Sequence, residues 1–145
     1  MKSFFGIAVI MAIAAAFFAA PCIAESDLSG YAIVANKQIS GSSINMAALK
    51  GIYLREVRRL ANSDSEIIPV DYTPAADFYQ NLFGKSYVQM QAYWLSMRIK
   101  HSIDIPVSKK DAESVKQFVA ANKSAIGFIK NSEVDDSVKV LKLVN

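Results

Sequence analysis

Two short segments of this sequence pair side-chain hydroxyls with the expected start of a helix. Ser40-Gly41-Ser42-Ser43 runs into apolar residues at helical spacing (Ile44, Ala47, Ala48, Gly51, Ile52), and Thr73-Pro74 precedes a helix expected to reach about Phe83. Hydroxyls and unpaired backbone N–H groups at a helix N-terminus can surround a small anion. Ser42 and Ser43, with Thr73 secondary, are therefore the candidate ligand contacts. The plainer use of the same residues is capping, since most Ser-rich helix starts cap helices and bind nothing. Thr73 followed by proline at the first helical position has the form of such a cap. Lys85 and Arg55 are cations that could approach an anion.

Other chemistry finds little support. Cys22 is the only cysteine and His101 the only histidine, whereas a metal site needs several ligands. The Gly-x-Ser-x-Gly, Ser-x-x-Lys and Gly-x-x-x-x-Gly-Lys patterns of nucleophilic and nucleotide sites do not occur. Asp135-Asp136 falls in a terminal turn and reads as solvated. The expectation is a non-catalytic protein with no catalytic residue, no cofactor and no metal. Tyr72, Tyr79, Tyr87, Tyr93 and Trp94 could stack a sugar or base, but their places in helical stripes assign them to core or subunit packing. Asn122-Lys123-Ser124 matches a glycosylation sequon, which a turn between helix and strand also explains.

The chain begins with Lys2, an apolar stretch from Phe4 to Ala20, and Pro21-Cys22-Ile23-Ala24 before the first acidic residue, Glu25. A basic start, an apolar core and small residues at the exit make a removable signal peptide, residues 1–24, cut between Ala24 and Glu25. The competing reading is a membrane anchor, since about 17–20 apolar residues can span a bilayer. The weakly hydrophobic Ala/Phe composition and helix-breaking Pro21 suit cleavage better. Pro21 also stands where a lipoprotein signal wants a small residue before its cysteine. The expected location is periplasmic or secreted, without stable membrane insertion after cleavage. Residues 25–145 then form one domain of 121 residues, large enough for its own core and free of cysteine. Losing Lys2 leaves 15 basic against 13 acidic residues, a net charge of +2 and too mild for a nucleic-acid partner.

Along that domain, Tyr31–Ala35 and Ile67–Val70 read as strands, and Pro69 implies an edge or irregular position for the second. Ser43 reads as the N-cap of the helix from Ile44. Gly84 is a natural C-cap, and Ser86 starts a longer helix with Val88, Ala92, Leu95 and Ile99 on one face. Ser108 followed by Asp111 resembles a capping box for a helix through Val115, Phe118 and Val119. Ala125–Ile129 and Val138–Leu143 are the last strands. The order β-α-β-α-α-α-β-β implies an α/β three-layer sandwich with a mostly parallel mixed sheet.

Three of these segments, in order, resemble the phosphate-binding proteins of ABC transporters: Ser43–Leu54 (SINMAALKGIYL), Ile67–Asp71 (IIPVD) with the helix after it, and Lys116–Ile129 (KQFVAANKSAIGFI). The resemblance spans roughly residues 31–131. It implies one lobe of a class II periplasmic-binding-protein fold, a phosphate-like anion as ligand and an ABC permease as partner. In that family an Arg and a Ser-Gly-Thr turn after the second strand hold the phosphate. Here the stretch reads Val70-Asp71-Tyr72-Thr73-Pro74-Ala75-Ala76. No arginine lies between Arg59 and Arg98, Pro74 lacks an N–H, and Asp71 adds a charge that repels an anion. The expectation is a binding module with a degenerate anion site. The alternative is an interaction domain in which the uncovered cleft face meets another protein or a second copy.

Overall fold

The computed structural model describes residues 27–61 and 63–145; the signal peptide expected at residues 1–24 and its expected cleavage site lie outside the described residues. Short apolar runs bounded by turn residues form the middle of one sheet. Strand β1 (Tyr31–Ala35) pairs antiparallel with β5 (Ala125–Lys130) on one side and β6 (Lys139–Val144) on the other. Beyond β6 lies β2 (Ser43–Asn45), and beyond β5 lie β3 (Ile68–Tyr72) and then β4 (Val107–Lys109), these three joining in parallel. The order is β2-β6-β1-β5-β3-β4, with three parallel and two antiparallel pairings. A mostly parallel mixed sheet is what the sequence implies. The two three-residue strands escape a reading by apolar runs, because β2 holds only one buried residue, Ile44, and β4 none.

Helices cover both faces. Successive residues of a strand point to opposite sides, and β5 shows the division. Phe128 faces helix α1 (Met46–Tyr53) and helix α2 (Asp77–Phe83), stacking on Phe78 at 3.6 Å between ring centroids and meeting Tyr53 and Tyr79 edge-on. The adjacent Gly127 faces helix α4 (Ala112–Ala121). Helix α3 (Tyr87–His101) closes the first layer, with Trp94 edge-on to Tyr79. Its ring nitrogen donates to the Tyr53 carbonyl, and the Tyr93 hydroxyl donates to the Leu54 carbonyl. Two carbonyls left over at the end of α1 are satisfied in this way.

At Gly127 the sheet packs close against α4. A Cβ there would stand 3.1 Å from the Val70 Cβ and 3.3 Å from a Val115 methyl. Gly127→Val is therefore expected to destabilise by about 1–3 kcal/mol through overpacking. Urea unfolding checks it, and a wild-type midpoint would refute this packing of α4 on β5.

Several local expectations are corrected. Asn45 caps α1, its side chain accepting from the Ala48 N–H, because Ser43–Asn45 run as strand β2 and the helix starts only at Met46. Helix α2 begins at Asp77 behind Ala76, which makes no side-chain cap, so Thr73 is a turn residue three positions upstream. Asp111, rather than Ser108, caps α4, because Ser108 belongs to β4. Pro69 stands in an interior strand. The Ile68 N–H donates toward β5, to Ser124, so the alternation turns the proline nitrogen toward β4, whose pairing begins only at Val70. The buried side of α3 is also different. It carries Met90 and Trp94, while Val88, Leu95 and Ile99 are exposed. The aromatic stripe wins because it buries more surface and also supplies hydrogen bonds.

Candidate functional site

In an open α/β sheet, ligands bind beyond the carboxyl ends of parallel strands, where connections leave to opposite faces. Here β3 runs into α2 and α3 on one face, and β4 runs into α4 on the other. The carboxyl ends of β3 and β4, at Tyr72-Thr73 and Lys109, therefore mark the crevice where a ligand belongs.

Hydrogen bonds tie the two strand ends together there. The Thr73 N–H and hydroxyl both donate to the Lys109 carbonyl, at 3.0 and 3.2 Å. Pro74 offers no N–H. Two residues before Thr73, the Asp71 carboxylate is fully buried and accepts from Tyr79 (2.7 Å), Tyr87 (2.5 Å) and Ser108 (3.0 Å). The sequence suggests Asp71 as a charge facing an anion; in the structure it turns inward and ties β3, β4, α2 and α3 together. Burial together with Asp71 pushes the Tyr87 phenol up to about 12. The Tyr79 phenol is raised by burial first, with Tyr53 and Asp71 adding to it.

Two further carboxylates gather at this end of the sheet. Asp77 accepts from the Tyr31 hydroxyl, and Glu133 from the Tyr72 hydroxyl. Lys109 turns away, its ammonium 4.8 Å from the centre of the Phe118 ring. The crevice is thus hydroxyl-lined and acidic, the reverse of a phosphate cage, which needs converging donors and positive charge.

The other sequence candidates lie elsewhere. Ser42 and Ser43 are exposed, and the Ser42 carbonyl accepts from the Lys142 N–H. They sit four strands from β3, roughly 19 Å at the usual spacing, so the fold does not bring them to Thr73. Ser40 lines a cavity of about 300 Å³ with Ser63, Ser65 and Ser124, which also holds the carboxylate-bearing Asp64. No motif in the sequence signals that grouping, because three separate loops supply it. Arg55 is buried at the amino end of β3, donating to Glu66, to the Ile67 carbonyl and to the Asp104 carbonyl. Its guanidinium serves structure and is out of reach of Thr73. Lys85 lies over the Tyr93 ring at 5.9 Å. Tyr79 and Trp94 are buried, as the helical stripes suggest; Tyr72 is buried as well, but as the last residue of strand β3 and not in a helix, while Tyr87 and Tyr93 are half-buried. His101 is exposed at the end of α3. Among the described residues no cluster of three His, Cys, Asp or Glu could hold a metal ion, and no helix is long and apolar enough to cross a membrane.

No protein-family model matches the chain, and no curated protein does. Solved structures do. An ABC-type phosphate transport receptor from Vibrio cholerae aligns at a TM-score of 0.55 and 21% identity, over 79% of this chain and 46% of the receptor. A possible phosphate binding protein from Planctomyces limnophilus gives 0.58 and 18%, over 80% and 42%. PstS from Borrelia burgdorferi gives 0.55 and 14%, over 79% and 47%. This chain spans less than half the length of each, and at these identities the likeness concerns the fold. The chain therefore has the α/β fold of the phosphate-binding proteins of ABC transporters, in an extent that matches about one lobe of them.

Proposed function

We propose that this chain is an exported, non-catalytic binding module of the phosphate-binding-protein type, whose anion site is tied up by its own hydrogen bonds and which works by contact with a protein. One observation carries the reading: Thr73 is spent on the Lys109 carbonyl while Asp71 lies locked under the same turn. A phosphate dianion must lose its hydration, and many fixed donors are needed to offset that. Each missing charged contact typically costs about 2–5 kcal/mol, a factor of roughly 30 or more in affinity. The exposed Ser42 and Ser43 offer only a weak anion contact in compensation.

Calorimetry with inorganic phosphate at moderate salt is expected to give a dissociation constant weaker than about 1 mM. Any residual binding should fall further in a Ser42→Ala, Ser43→Ala double variant. A micromolar constant would overturn the reading. It would favour the second one, delivery of a phosphate-like anion to an ABC permease, which the shared fold with an ABC-type phosphate transport receptor supports. Export rests on the leader at residues 1–24. Its mark is an N-terminus at Glu25 in the exported protein, and an intact Met1 in the membrane fraction would mean an anchored chain instead.

A further inference from the structure

Helix α3 presents an apolar stripe to solvent. Val88, Leu95 and Ile99 are 72%, 55% and 74% exposed, and Ala92, also exposed, lies between them. Their spacing of four, three and four residues is that of a coiled-coil seam. The opposite side of the same helix carries the buried Met90 and Trp94, so the stripe is surplus to the core.

The order of residues along the stripe selects its occupant. A twofold axis midway between Ala92 and Leu95 sets Val88 against Ile99 of a second copy, and Ala92 against Leu95. Small then faces large at both central positions, and the pattern maps onto itself, which a twofold interface requires. The flanks obey the same axis. On one flank Gln91 lies beside Arg98 of the second copy, and on the other Gln89 lies beside Ser96, so no like charges meet along the seam. A parallel pairing would instead bring Arg98, Lys100 and His101 of both copies together at one end, where all three crowd the last turn. Antiparallel helices keep these basic ends apart and also oppose their dipoles favourably.

We infer that α3 is a self-association surface on which two copies of this chain pair antiparallel through Val88, Ala92, Leu95 and Ile99. The inference rests on the reading of the chain as a protein-contact module and names its partner. The seam runs for roughly 16 Å, and a contact this short falls below the ~800 Å² per partner of a standard interface. The dimer is accordingly weak and reversible.

The test uses residues 25–145, which contain the whole described core and no cysteine. Sedimentation velocity from about 5 to about 500 µM should show a monomer–dimer equilibrium in the upper part of that range. Leu95→Lys and Ile99→Lys, both at exposed positions, should weaken it at least tenfold and leave the thermal midpoint unchanged. For the geometry, Val88→Cys protein mixed with Ile99→Cys protein should be linked by a short bismaleimide. Val88→Cys protein alone should not be, since its two thiols lie roughly 16 Å apart along the axis. A monomer at every concentration would overturn the inference while leaving the closed crevice standing, which phosphate calorimetry tests separately. A dimer that survives Leu95→Lys, or that links through Val88→Cys alone, would overturn it as well.

Discussion

Replacing Asp71 by leucine is expected to destabilise the fold by about 2–4 kcal/mol, because a buried donor left without an acceptor keeps its full desolvation cost. Three hydroxyls converge on this side chain, from Tyr79 in α2, Tyr87 in α3 and Ser108 in β4. Tyr79 is fully buried and has no water to turn to, whereas Tyr87 is half-buried and recovers part of its loss. Leucine removes one desolvated carboxylate in exchange, which keeps the net below the sum of three lost bonds. Asp71→Asn should cost less, since its oxygen still accepts and its amide can donate to a hydroxyl that rotates. The bonds should also prove coupled. In a double-mutant cycle, Asp71→Leu combined with Tyr79→Phe should cost less than the two single changes together, because the second removes the donor that the first strands. Urea unfolding of the four proteins measures this. A leucine variant within about 0.5 kcal/mol of wild type, the range of an ordinary surface change, would show that the cage contributes nothing to the fold.

The same residue shows how far the sequence can be read. Asp71 stands out there as a charge where the resembling family binds an anion, but nothing local says which way it points. Its three partners arrive from positions 8, 16 and 37 residues away, so the cage exists only after β4 has paired with β3. Features set by local chemistry are legible: Gly84 in the left-handed region at the end of α2, the helix start at Ser86, and the buried runs of β1 and β5. Three caps differ from what local spacing suggests. Ser43 and Ser108 are drawn into short edge strands, which move the helix starts on to Asn45 and Asp111, and Thr73 is drawn into a turn bonded to β4. The face of α3 fails differently. Two stripes compete on that helix, and aliphatic spacing alone favours the one that the fold leaves in solvent. The resemblance to phosphate-binding proteins identifies the fold because it rests on strand–helix order. A site depends on individual residues instead, and strand–helix order says nothing about those.

Raising the pH is expected to unfold the protein in one step near about pH 12, with tyrosine ionisation and loss of structure coinciding. All six tyrosines are held above their ordinary range, and burial is the largest cause for each. Neighbouring carboxylates add to it: Asp77 for Tyr31, Glu133 for Tyr72, and Asp71 for Tyr53, Tyr79 and Tyr87. Tyr87 reaches about 12, against an unfolded value near ~10. The folded value is the higher one, so the stabilisation from a neutral buried phenol is complete below the unfolded value. It is lost as the pH climbs from there through the folded value. Each phenol still protonated when folded and ionised when unfolded tilts the balance by about 1.4 kcal/mol per pH unit. Tyr53 and Tyr79, the two that are fully buried, withdraw roughly 3 kcal/mol per unit between them. Against a total stability of about 5–15 kcal/mol, little more than two units above the ordinary phenol value suffices once the other four contribute. Tyrosinate absorbance and far-ultraviolet circular dichroism, followed together, make the measurement. Tyr87→Phe should lower stability at neutral pH, because Asp71 loses a donor, yet soften the alkaline fall, because one titrating phenol is gone. Tyrosinate appearing for most of the six at the ordinary value, with the dichroism intact, would show that the hydroxyls reach water and that the aromatic layer between sheet and helices is not closed.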